Sequence, residues 1–231
     1  MPTSARTYGQ FCGLARALEI VGERWSLLVV RDLMLGPKRF NDLQATLPRI
    51  PVSILTSRLN ELEEAGVIRR RVLSQLDAGV VYELTEYGSE LDHIVLDLGL
   101  WGARSLSDPK PDDAFSIDTA VLSLYTTFRE EMAVGVHINY ELQYLGGEMV
   151  VHALVDDGAV KVSAGSLPSP DLVIEPEGPA MFELLNGALS PQEALSSGKV
   201  RIEGDPAHLE LFTRLFHIPP APEAPTGLTI H

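Results

Sequence analysis

The sequence predicts an α+β chain of two units: a mostly helical N-terminal half with one β-hairpin, and a C-terminal antiparallel sheet covered by helices. Three observations predict it. Apolar residues recur at intervals of three and four before residue 107, and they alternate strictly from Val134 to Tyr144. Between these regions, Ser107-Asp-Pro-Lys-Pro-Asp-Asp113 offers two prolines, three aspartates and no apolar residue, the composition of a linker. The expected boundaries are 8–106 for the first unit, 107–114 for the linker and 115–217 for the second unit. A disordered tail, 218–231, rich in proline, should follow.

In the first unit, Leu14, Leu18 and Val21 share one helical face, and Gly22 stops that helix. Trp25, Leu28 and Leu33 carry a second helix, ended by Gly36-Pro37. Phe40, Leu43 and Leu47 carry a third, ended by Pro48. Pro51 suits a first helical turn, and Leu55, Leu59 and Leu62 then make a fourth helix that stops at Gly66. Ile68–Leu73 and Val80–Leu84 are β-rich arms flanking Asp77-Ala-Gly79, which reads as a hairpin. Thr85 should cap a long helix with Leu91, Ile94, Leu98 and Trp101 along one stripe.

In the second unit, Val134, Val136, Ile138, Tyr140, Leu142 and Tyr144 alternate along a strand with one buried face. Gly146-Gly147 turns it into Met149–Val155, and Asp157-Gly158 turns that into Val160–Ala164. Leu172–Ile174 is a candidate fourth strand. Short helices should begin near Pro179, with Phe182 and Leu185, and at Ser190-Pro-Gln-Glu193, a capping box. Val200 and Ile202 suggest a last strand, and Asp205-Pro206 opens a helix carrying Leu209, Phe212 and Phe216.

Charge divides the chain as sharply as periodicity does. Residues 1–110 hold 13 Lys/Arg and 14 Asp/Glu, net −1; residues 111–231 hold 5 and 18, net −13. Two units with different partners are implied. Within the first, segment 38–71 concentrates seven Lys/Arg against four Asp/Glu, a local excess suited to a polyanion. The single cysteine, Cys12, allows no intrachain disulfide. No apolar run approaches membrane-spanning length, and no leader-like apolar region stands at the N-terminus, so a soluble, cytoplasmic protein is expected. The six histidines lack metal-ligand spacing, and no nucleophile, P-loop or dinucleotide motif is present. The expectation is therefore a non-enzyme without metal or cofactor.

The order helix, helix, recognition helix, hairpin is that of a winged helix-turn-helix, in which one helix enters the major groove of DNA and the hairpin reaches beside it. With Leu55, Leu59 and Leu62 buried, Ser53, Ser57, Asn60 and Glu64 fall on the opposite side, with Thr56 beside them. Arg58 lies nearer the buried flank, where a DNA contact and a structural ion pair are both open. Strand alternation sends Arg69, Arg70 and Arg71 to different faces at the wing base. The candidate DNA-binding set is Arg49, Ser53, Thr56, Ser57, Arg58, Asn60, Arg69, Arg70 and Arg71.

Cys12 with Ala17-Leu-Glu-Ile-Val-Gly-Glu-Arg-Trp25, then Gly36-Pro-Lys-Arg-Phe-Asn-Asp-Leu43, Leu55-Thr-Ser-Arg-Leu-Asn-Glu-Leu-Glu-Glu-Ala-Gly66 and Val81-Tyr-Glu-Leu-Thr85, resembles HxlR-type regulators. The resemblance spans about residues 10–105. It implies a winged-helix homodimer on operator DNA arranged as an inverted repeat. The implied dimer seam would use Leu14, Leu18, Leu91, Ile94, Leu98 and Trp101. Two departures stand out: Ser53 and Asn60 occupy positions often basic in the family, and Asp77-Ala-Gly79 stands where proline and arginine are usual. Cys12 occupies a position that serves some relatives as a redox sensor; its residue type alone suggests a small apolar residue buried near the seam. Arg16, one turn away, is the one sequence-local cation placed to activate it.

Asp171-Leu-Val-Ile-Glu175, Leu184-Leu-Asn-Gly187, Ser190 to Lys199, and Val200-Arg-Ile-Glu-Gly-Asp205 resemble the C-terminal half of sterol-carrier-protein-like domains. That resemblance implies a domain holding lipid or another apolar molecule between sheet and helices. Ile138, Tyr140, Leu142, Phe182, Leu185, Phe212 and Phe216 are the candidate ligand-binding residues. The combined expectation is a DNA-binding transcriptional regulator responsive to an apolar or lipid-like small-molecule effector. The alternative is a lipid-carrying or protein-interaction module whose winged helix no longer reads DNA.

Overall fold

The computed structural model describes residues 7–72, 79–107, 109–110 and 113–221. The chain divides into two compact units between Val95 and Leu96.

The first unit opens with α1 (Gly13–Val21), which ends at Gly22 as expected, and α2 (Ser26–Leu33). Trp25 does not join α2: it stands at the N-cap with φ 83°, in the left-handed region. Nor does Leu28 face the core. Val29, Val30 and Leu33 are the buried residues of that helix, so the apolar face is rotated from the one the spacing of Trp25 and Leu28 suggested. A two-residue strand, β1 (Lys38–Arg39), precedes α3 (Phe40–Thr46) and α4 (Val52–Glu64). Pro51 is the N-cap of α4, one residue before its first turn. Beyond Gly66, β2 (Ile68–Val72) pairs antiparallel with β3 (Val80–Leu84), and β1 adds to the other edge of β3. The sheet order is β1-β3-β2. Most of the hairpin tip, residues 73–78, lies outside the described residues.

Leu43, Leu55, Leu59, Leu62, Val67 and Ile68 form one core with Val29, Val30 and Leu33. The three leucines of α4 at i, i+4 and i+7 therefore fix which side of that helix faces outward. The single long helix expected after Thr85 is two: α5 (Glu86–Ser89), whose N-cap Thr85 hydroxyl accepts from the Gly88 amide at 3.0 Å, and α6 (Asp92–Ala103). Gly88 is held against the backbone, since a Cβ there would stand 2.0 Å from the Val67 carbonyl oxygen.

The second unit contains α7 (Ile117–Thr127), capped by the Ser116 hydroxyl. A five-stranded sheet follows: β4 (His137–Tyr144), β5 (Met149–Asp156), β6 (Ala159–Ala164), β7 (Leu172–Pro176) and β8 (Val200–Gly204), in the order β6-β5-β4-β7-β8. Three pairings are antiparallel as expected, while β4 and β7 run parallel. α8 (Ala180–Leu185), α9 (Pro191–Ser196) and α10 (Pro206–Leu215) complete the unit. The Ser190–Glu193 capping box is present, and the Asp205 carboxylate accepts from the Ala207 amide. Ile138, Tyr140, Leu142 and Tyr144 of β4 are buried as expected, but Glu141 between them is buried too, and Val134 is exposed before the strand begins. On the outer strand, the Tyr125 hydroxyl of α7 donates to the Val162 carbonyl (3.2 Å) and accepts from the Val162 N–H (3.0 Å).

Ile218 and Pro220, expected in the tail, make defined contacts with the second unit. Ile218 is buried, and its amide donates to the Leu185 carbonyl at 2.7 Å. The Pro220 carbonyl accepts from the Arg104 guanidinium at 2.8 and 3.2 Å. Residues 222–231 lie outside the described residues, as do 108, 111 and 112 of the linker.

Candidate nucleic-acid interface and apolar site

On the outward side of α4, Ser53, Thr56 and Asn60 are exposed, and Ser57 is half-buried. The Thr56 hydroxyl donates to the Val52 carbonyl (2.9 Å) and the Ser57 hydroxyl to Glu61 (2.8 Å), so both present oxygen lone pairs to a partner. Arg58 forms the structural ion pair that its position left open. Its side chain is only 12% exposed, and its guanidinium meets Glu61 at 2.8 Å and Glu23 at 3.5 Å. A guanidinium held beneath the helix surface is badly placed to reach phosphate. Arg49 is exposed between α3 and α4.

The three wing-base arginines divide as alternation requires. Arg70 turns toward α4, where it pairs with Glu63 and its Nη2 lies 3.4 Å from the Asn60 carbonyl oxygen. Arg69 and Arg71 share the other face and a single carboxylate: each donates its Nε to Glu83, at 2.8 Å in both cases. Hydrogen bonds from Arg71 and Arg69 hold the Glu83 carboxyl below the usual carboxylate range, and one from Arg70 does the same for Glu63. The sequence reading missed these glutamates. The signal was available, because Arg69 stands opposite Glu83 in the antiparallel register.

A second exposed feature is apolar. Leu14 and Leu18 on α1, and Ile94, Leu98 and Trp101 on α6, are exposed, Trp101 at 69%. Leu91 differs from them, packing partly into the core of the first unit. Cys12 immediately precedes α1 and is exposed in the single chain.

In the second unit, six of the seven candidate ligand residues lie in a filled interior. Ile138, Tyr140, Leu142, Leu185, Phe212 and Phe216 are all buried. Phe212 stands 4.7 Å from Phe216 and 5.1 Å from Tyr140, centroid to centroid, and Phe128 closes the cluster at 5.5 Å from Phe216. Edge and tilted ring contacts of this kind consume the apolar surface a ligand would use. The Tyr140 hydroxyl is satisfied by the His208 carbonyl at 3.2 Å. Phe182, the seventh, borders an open concavity of about 300 Å³, together with Arg104, Leu106, Asn186, Ile218 and Pro219. Apolar alternation looks the same for a lined cavity and for a filled core, which is why the sequence pointed to the interior. Among the described residues, no cluster of three His, Cys, Asp or Glu side chains could hold a metal ion, and no helix is long and apolar enough to cross a membrane.

A three-helix core with an outward polar helix face and a basic two-stranded wing defines a winged-helix DNA-binding unit of the transcription-regulator class. Residues 20–110 match the HxlR-like helix-turn-helix family, and residues 129–217 match the SCP-2 sterol transfer family. The HTH-type transcriptional regulator YdeP of Bacillus subtilis is 38% identical over 93 residues, covering 40% of this chain and 73% of the relative. YodB, another HTH-type regulator from that organism, is 38% identical over 85 residues, covering 37% and 76%. The solved reduced form of YodB is 33% identical with a TM-score of 0.38, covering 45% of this chain and all of that one. This chain belongs to the HxlR-like family of DNA-binding transcriptional regulators, with an SCP-2-type unit behind its winged helix.

Proposed function

We propose that the protein regulates transcription as a homodimer on inverted-repeat DNA, and that an apolar, at most weakly charged effector in the C-terminal unit changes its DNA affinity. The observation that carries the reading is α4. Leu55, Leu59 and Leu62 are fully buried, which leaves Ser53, Thr56 and Asn60 on the side a major groove would meet. Arg69, Arg70 and Arg71 stand at the wing base and supply sequence-independent contacts to phosphate. Self-association is supported by Leu14, Leu18, Ile94, Leu98 and Trp101, large apolar side chains left exposed on two helices.

The effector half of the reading rests on the SCP-2 match and on the concavity beside Phe182. Its volume suits a small molecule, at the low end of common ligand sites. A unit of net charge −13 repels anionic lipids and surfaces, which speaks against an anionic effector and agrees with recruitment by apolar burial. Coupling requires the effector to favour one dimer arrangement, typically by about 1–3 kcal/mol. The protein acts in the cytoplasm in this reading, where its DNA is.

The test is footprinting of the full chain on DNA upstream of its own gene, followed by titration with apolar compounds extracted from the purified protein. Half-sites should lie about 10 bp apart, or a multiple of that. Protection of a single half-site by a monomer defeats the dimer. Extracted compounds that leave DNA affinity unchanged defeat the effector.

A further inference from the structure

Among the described residues, Glu83 is the one wing residue whose carboxylate is divided between two arginines. Its Oε1 accepts from Arg69 Nε and its Oε2 from Arg71 Nε, both at 2.8 Å. The carboxylate lies low, with its side chain 13% exposed, while the arginines stand above it at 65% and 45%. Both guanidinium groups spend their inner Nε edge on Glu83. Their outer Nη groups have no partner among the described residues. An arginine held by one edge and open along the other is arranged to bind a second anion without first losing rotamer freedom.

We propose that Glu83 is a positioning residue for DNA backbone binding: it aligns Arg69 and Arg71 side by side so that their Nη edges take neighbouring phosphodiester oxygens. The ligand class is a polyphosphodiester, and the inference rests on the reading of the wing base as a DNA contact. Arg70 is excluded from this pair, because Glu63 turns it toward α4 on the opposite face. A carboxylate under two arginines has two opposed consequences. It subtracts a charge from the face that meets DNA, which weakens attraction, and it fixes two donors in place, which strengthens each contact. The paired geometry says that positioning outweighs subtraction.

The experiment uses the full chain and a labelled 30-bp duplex of mixed sequence, with affinity measured by anisotropy across a salt series. Arg69→Ala and Arg71→Ala should each lower the slope of log affinity against log salt by about 0.9, one phosphate contact apiece. Glu83→Gln keeps the side-chain shape but offers one acceptor and one donor, so it can hold one guanidinium and turns the other away. Its slope should fall by about the same 0.9, although the protein has lost a negative charge. Glu83→Asp, too short to reach both Nε groups, should behave likewise, and a thermal melt of each variant shows that the fold is kept. Tighter binding by both Glu83 variants with an unchanged or steeper slope makes Glu83 a mere competitor and overturns the inference alone. Unchanged slopes in the two arginine variants overturn both it and the wing-base contact.

Discussion

Apolar helix faces of the same period meet opposite fates in this chain, one on α10 within the second unit, the others on α1 of the first unit and on α6, which runs across the boundary at Val95–Leu96. In α10, the stripe Leu209, Phe212, Leu215 closes completely against the sheet, with Phe216 just beyond it. In α1 and α6, Leu14, Leu18, Ile94, Leu98 and Trp101 are as apolar and as regularly spaced, yet stay exposed. Periodicity is the same in both. What differs is whether the unit contains a surface to receive the stripe. A helix face that its own domain leaves uncovered is a surface for association, whereas one that is covered is a source of stability.

That contrast can be broken by substitution. The largest effect belongs to the filled interior: Phe212→Ala removes a fully buried ring in contact with Tyr140 and Phe216 and should cost about 3–5 kcal/mol of stability, read by urea denaturation. If that loss falls below about 1 kcal/mol, the interior is looser than its ring contacts imply. Trp101→Ala should do the reverse. It should weaken self-association by about 2 kcal/mol or more, seen by sedimentation, with stability of the monomer changed by less than about 0.5 kcal/mol. An unaltered dimer constant places the seam elsewhere. Asn60→Ala touches neither property and should relax sequence preference on the operator by about 1–3 kcal/mol, with binding to random DNA nearly unchanged. Equal losses on both DNAs would make Asn60 a backbone contact.

How much of this was legible in the sequence follows the range of the interaction concerned. Local signals read well. The Ser190 capping box, the Thr85 cap, the stop at Gly66 and the β2–β3 hairpin are decided by residues near one another in the chain. Strand β1 was invisible because Lys38–Arg39 is a strand only by pairing with β3, more than forty residues on. The parallel β4–β7 pairing was hidden for the same reason. α7 is a different case: Ile117, Ala120, Val121 and Leu124 follow a plain helical spacing behind Ser116 and were passed over. At the proposed DNA-facing site, the polar face of α4 was readable from three leucines, whereas the glutamates that hold the arginines lie on other elements and carry no local signal. In the second unit, alternation pointed to the buried Ile138, Tyr140, Leu142 and Tyr144, missed Glu141 buried between them, and could not say that the rings meet one another.

The phenol of Tyr125 carries a consequence for how copies of this protein can join. β6 is the outermost strand on its side of the sheet, and such a strand ordinarily offers its amides and carbonyls as a template to any passing chain. At Val162, both groups are already occupied by one hydroxyl arriving from α7. A visiting strand would have to displace that hydroxyl from the middle of β6 and leave a part-buried tyrosine oxygen without its partners. Growth of this sheet from one molecule into the next is thereby obstructed at the β6 edge. Phe in place of Tyr125 would keep the packing and unlock the strand, so concentrated solutions of that variant should thicken or cloud where the parent stays clear.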